Sequence, residues 1–149
     1  MKKFVLATAL VLTATAASAW EIGVTGTRDY SGTDRNFGGI TLGHNVGRAS
    51  ATAGFERSTV GTNDQNRYSL VGGYDVAKVG SVTVTPRLGV AYLDNQTSQN
   101  GYAVTVGLGA SVPVAKKVNI GLAFDRQYGQ DRVDQFDGNR LTASVKYRF

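Results

Sequence analysis

Nine ionisable residues of this sequence fall in one strand-like phase: Glu21, Glu56, Arg67, Asp75, Arg87, Asp125, Arg140, Lys146 and Arg148. The rest of that phase is mainly Gly, Ala, Ser and Thr. Four acids against five bases suggest mutual pairing, because a charge confined away from water carries a large desolvation cost unless it is partnered. Glu21 stands low in the first such stretch and Lys146 and Arg148 low in the last, so an ion pair is expected if those two stretches meet. Arg87 and Asp125 form a second candidate pair. Such a set can act as a plug of paired charges or as a gate and proton path, and desolvation favours the plug. Catalytic constellations are absent. The single histidine, His44, has no Ser and acid at its level to complete a nucleophile and base, so no enzyme is expected. With no cysteine and no clustered histidines, neither a transition metal nor a cofactor is expected. Weaker motifs have simpler readings: Asn95-Gln96-Thr97 is loop composition, Gly107-Leu108-Gly109 opens no helix, and Asp131, Asp134 and Asp137 lack calcium-loop spacing.

The elements that must hold these residues are strands. Lys2 and Lys3, the apolar run Phe4 to Ala17 and the small-residue site Ala17-Ser18-Ala19 read as a cleaved secretory signal over 1–19. That leaves a mature domain of 20–149 and lowers the formal charge from +5 to +3, too little to argue for a nucleic-acid partner. Period-two alternation then predicts eight strands near 20–28, 37–44, 49–57, 67–76, 81–93, 101–114, 118–128 and 141–149. Polar loops at 29–36, 58–66, 94–100 and 129–137 alternate with short turns at 46–48, 77–80 and 115–117. An antiparallel up-and-down β-barrel with both termini at the short-turn end produces this order.

Alternation alone leaves open which row faces in. A soluble barrel with an apolar interior would crowd its outer row with Lys and Glu. Here the polar row is small, which suits the narrow lumen of eight strands. The apolar row has Val, Leu and Ile at mid-strand, with Trp20, Tyr74, Tyr147 and Phe149 towards the short turns. Phe55, Tyr68, Tyr92, Tyr102, Phe124 and Tyr128 stand towards the long loops. Two aromatic girdles around an aliphatic band predict a lipid-facing exterior.

The last stretch, Leu141 to Phe149, carries apolar residues at every second position back from Phe149, with Tyr147 two before it. It resembles the closing strand of bacterial outer-membrane barrels. With all eight strands in order, the mature chain resembles the small eight-stranded family of OmpX, NspA and the OmpA transmembrane domain. The resemblance implies an all-β transmembrane barrel in the bacterial outer membrane, with outer-membrane lipids and lipopolysaccharide as partners and no nucleic acid among them. It further implies a monomer with periplasmic termini, and recognition of Tyr147 and Phe149 by the barrel-assembly machinery. No C-terminal periplasmic domain is expected, so peptidoglycan anchoring is not implied. Lipid A deacylases and palmitoyltransferases of similar size use a His with Ser and an acid. His44 instead falls in the outward phase, where a headgroup neighbour is expected. Arg28, Arg57 and Arg126 also fall in the outward phase, above the aliphatic band. They suit lipopolysaccharide phosphates, or else ordinary rim solvation beside acids such as Asp29. The role expected is envelope integrity or surface interaction, with a narrow pore or a loop-borne adhesin as alternatives.

Overall fold

The computed structural model describes residues 18–30, 34–58, 64–95, 100–130 and 137–149. Residues 1–17 of the signal segment, most of Asn95-Gln96-Thr97 and the pair Asp131 and Asp134 lie outside the described residues. The strands are β1 (Ser18–Asp29), β2 (Arg35–Val46), β3 (Ala49–Ser58), β4 (Gln65–Tyr74), β5 (Ala77–Val79), β6 (Val82–Asn95), β7 (Gly101–Ala115), β8 (Val118–Gly129) and β9 (Gly138–Arg148). All pairings are antiparallel between sequence neighbours, with β1 on β9 and β4 on β6 closing the sheet. β4 and β5 share one stave, so the barrel has eight.

That shared stave corrects the expected fourth strand and the turn at 77–80. The ladder between β3 and β4 ends at Tyr74, and Asp75 and Val76 interrupt it before Ala77–Val79 pairs with β6 alone. The turn is therefore Gly80-Ser81, with Gly80 at φ 62°. Gly47 opens the β2–β3 turn at φ 60°, a left-handed conformation that only glycine adopts without steric cost. The third turn, Lys116-Lys117, contains no glycine, and a register shift between Pro113 and Ala115 precedes it.

Polarity is inverted relative to a soluble domain. Ile22, Leu108 and Leu122 are among the large apolar side chains exposed on the outer face, while Glu56, Arg67, Asp125 and Arg140 are buried inside. An apolar exterior this extensive is stable only against lipid or another apolar surface. Four of its upper aromatics form one row in register, Phe55 facing Tyr68, Tyr68 facing Tyr92 and Tyr92 facing Tyr102 across β3, β4, β6 and β7, whereas Phe124, expected among them, falls at mid-stave opposite Leu108 and Leu141. Two of these contacts are tilted ring pairs with centroids 5.2 Å apart, the offset that the ring quadrupoles favour.

Candidate functional site: the charged lumen

Inward residues alternate along each stave, so every charge in the small-residue row enters the lumen. Three buried acids each lie opposite a glycine on the neighbouring strand: Glu21 beside Gly43, Glu56 beside Gly39 and Asp125 beside Gly107. At Gly39 and Gly107 the missing side chain makes the room, whereas a Cβ on Gly43 would stand 3.7 Å from Glu21, an ordinary contact. A Cβ on Gly39 would collide with the Phe55 carbonyl and crowd Glu56, and one on Gly107 would collide with Asp125 and the Phe124 carbonyl. Gly107→Val is expected to destabilise the barrel by about 1–3 kcal/mol, the usual cost of overpacking. Urea unfolding of the variant in lipid vesicles checks this; an unchanged midpoint would remove the packing role.

Glu56 is the hub of the lumen. Its carboxylate accepts from Arg67 Nη1 at 2.7 Å, Arg140 Nη2 at 2.9 Å and Thr27 Oγ1 at 2.5 Å. Arg140 also approaches Asp29 at 3.5 Å, and its guanidinium lies 5.5 Å from the Phe37 ring centroid. β1, β3, β4 and β9 are thereby joined across the interior by charge-assisted bonds.

The two pairs expected from sequence are also present in the geometry. Arg87 Nη2 stands 3.5 Å from Asp125 Oδ2. At the β1–β9 seam Glu21 accepts from Arg148 at 2.8 Å, with Lys146 Nζ at 3.7 Å. Nearby, Thr85 donates to Asp75 at 2.7 Å. The hub was not singled out by sequence reasoning, although Glu56 and Arg67 are direct cross-strand partners of one hairpin and could have been paired by counting outward from its loop.

The lumen is divided along its length. A cavity of about 160 Å³ occupies the short-turn half, lined by Glu21, Asn45, Asp75, Lys146 and Arg148 among others. A smaller one of about 50 Å³ lies beside Glu56, Arg67 and Arg140. Arg87 lines both, so the Arg87–Asp125 pair sits at their boundary. At the long-loop end Phe37, Ala91, Leu93 and Ala103 fill the bore, with Gln65 and Gln127 buried among the inward residues there.

Outside, Arg28, Arg57 and Arg126 are exposed at the long-loop end as their phase requires. Each already has a neighbour: Arg28 pairs with Asp34 at 2.9 Å, Arg57 with Asp64, and Arg126 donates to Asn139 at 3.4 Å. Asp29, expected to be a rim acid, turns inward to Arg140 instead, because it falls in the other phase of β1. His44 also differs from expectation. It lies opposite Trp20, whose ring centroid is 4.5 Å from its own, and this cover leaves it 5% exposed rather than open to headgroups. Tyr147 and Phe149 both face out. Among the described residues no group of three or more His, Cys, Asp or Glu is placed to hold a metal ion.

No family model and no curated protein matches the chain. Solved structures do. Neisserial surface protein A is 15% identical, with 90% of this chain and 98% of that one covered and a TM-score of 0.60. A major outer membrane protein from Thermus thermophilus is 14% identical, with 90% and 100% covered and a TM-score of 0.62. Ail, the attachment invasion locus protein of Yersinia pestis, is 16% identical, with 89% and 97% covered and a TM-score of 0.53. At these identities the likeness is one of fold: the chain has the closed eight-stranded architecture of small outer-membrane β-barrels.

Proposed function

We propose that this chain is a monomeric, non-catalytic integral protein of the bacterial outer membrane, with its short turns and termini on the periplasmic side. Its role in this reading is envelope integrity or surface interaction. The observation that carries it is the inversion of polarity, with the Glu56, Arg67 and Arg140 cluster buried inside and Ile22, Leu108 and Leu122 exposed outside. Likeness of fold to outer-membrane proteins supports the same compartment. The test is heat-modifiable gel migration of outer-membrane fractions. The folded band is expected there, shifting after boiling; recovery in the soluble periplasm would defeat fold and function together.

A plug is favoured over a pore, since apolar side chains fill the long-loop end of the bore. Arg87→Ala is accordingly expected to leave planar-bilayer conductance at the wild-type level, and channel opening in that variant would favour the gate. Surface interaction is supported by the length of β6 and β7, at 14 and 15 residues, against the roughly 9–11 that cross a bilayer. Arg28, Arg57 and Arg126 are the proposed lipopolysaccharide contacts, their existing partners exchanging for phosphate. Tyr147 and Phe149 are the proposed assembly signal.

A further inference from the structure

The two ends of the barrel treat their outward cations differently. At the long-loop end Arg28 and Arg57 are paired with Asp34 and Asp64, and Arg126 donates to the Asn139 amide. At the short-turn end Arg48, Lys78, Lys116 and Lys117 are all exposed, and among the described residues no carboxylate lies within ion-pair distance of any of them. The acids of that end are occupied inside the lumen: Glu21 holds Arg148 and Lys146, and Asp75 accepts from Thr85.

Two of these cations are held against the wall. Arg48 lies 5.3 Å from the Tyr74 ring centroid and donates from Nε to the Asp75 carbonyl at 2.7 Å. Lys117 lies 5.7 Å from the Tyr147 centroid. Both rings belong to the lower aromatic girdle, the depth at which interfacial side chains meet headgroups. Apolar residues continue around the turns: Val79 is 71% exposed, and Val76, Val82 and Val114 are exposed as well. Apolar surface next to unneutralised, aromatic-supported cations is the pattern of a segment that immerses its valines and offers its charges to anionic lipid.

We infer that the short-turn rim formed by Arg48, Lys78, Lys116 and Lys117 is a binding surface for anionic phospholipid headgroups of the leaflet that surrounds it. This rests on the transmembrane reading proposed above. Headgroup phosphates take the place that Asp34 and Asp64 take beside Arg28 and Arg57 at the other end, so the barrel gathers anionic phospholipid around its short-turn rim.

The chain supplies its own reporter. Trp20 is its single tryptophan, and it sits at this rim: the Phe149 N–H donates to its carbonyl, and Tyr147 pairs with Ile22 two residues on. The experiment reconstitutes the whole mature chain in phosphatidylcholine vesicles and compares quenching of Trp20 by brominated phosphatidylglycerol and by brominated phosphatidylcholine. Wild type is expected to prefer phosphatidylglycerol about three- to fivefold, falling towards parity in high salt. Combined Arg48→Gln, Lys78→Gln, Lys116→Gln and Lys117→Gln is expected to abolish the preference. Because Arg48 also anchors Asp75, the three lysine substitutions alone form a second variant, expected to lower the preference while leaving that contact intact. Combined Arg28→Gln, Arg57→Gln and Arg126→Gln is expected to retain it. Equal quenching of wild type by both lipids, or a preference unchanged in both rim variants, overturns the inference while leaving the barrel in the membrane. Absence of quenching by either lipid overturns the transmembrane reading as well.

Discussion

Replacing Glu56 with Gln is expected to lower the stability of the barrel by about 3–5 kcal/mol, the range for removing one partner of a buried ion pair. The carboxylate receives Arg67 and Arg140, whose side chains are only 7% and 3% exposed. A neutral amide leaves two guanidinium groups facing each other with little water to screen them, and it also weakens the bond from Thr27. Arg140 retains Asp29, whereas Arg67 has no second acid among the described ion pairs. The double variant Glu56→Leu and Arg67→Met is therefore expected to recover most of the loss, because it removes the orphaned charge along with its partner. Urea unfolding from lipid vesicles, followed by tryptophan emission, measures both. A loss below about 1 kcal/mol for Glu56→Gln would show that water satisfies this hub and that its charges are not held by one another.

The second large effect belongs to the outer face. Leu108→Arg is expected to cost about 2–4 kcal/mol in vesicles, the penalty for a cation near the bilayer midplane on the lipid-facing side of a barrel strand. Leu108 lies between Pro86 and Phe124 in the cross-strand register and is 58% exposed, so the same substitution on a soluble barrel would be close to neutral. Opposite expectations from one change make the measurement decisive. A neutral Leu108→Arg would mean that this face meets water. Tyr102→Arg, six residues nearer the long loops, is expected to cost less, since the penalty falls towards the interface.

Much of this architecture was legible because a barrel repeats a local rule. Alternation in Val118 to Phe124 and in Leu141 to Phe149 sorts the side chains into two rows, the small size of one row marks it as the inward one, and the contrast of long polar loops with short turns fixes the direction of the staves. The small residues of the inward row were legible as a class, but their purpose was not. That Gly39, Gly43 and Gly107 stand opposite acids depends on register, which strand periodicity does not set to the residue. Glu56 and Arg140 are 84 residues apart, and their meeting depends on closure and stagger of the whole sheet. His44 was assigned to the right phase and the wrong environment, because the ring that covers it comes from the first strand. The break at Asp75 and Val76 carried no signal in alternation, which continues through it.

The seam between β1 and β9 bears on how long the barrel survives once formed. Glu21 and Arg148 are 127 residues apart, so closing the loop between them without the intervening staves carries the largest entropic penalty of any ion pair described above. Contacts of that kind belong late on the assembly path, after the hairpins have formed. Interactions absent from the rate-limiting state act on the rate of opening and leave the rate of formation nearly unchanged. The seam carboxylate is thus a clasp on lifetime: Glu21→Gln is expected to speed the unzipping of inserted barrels while their insertion half-time stays the same.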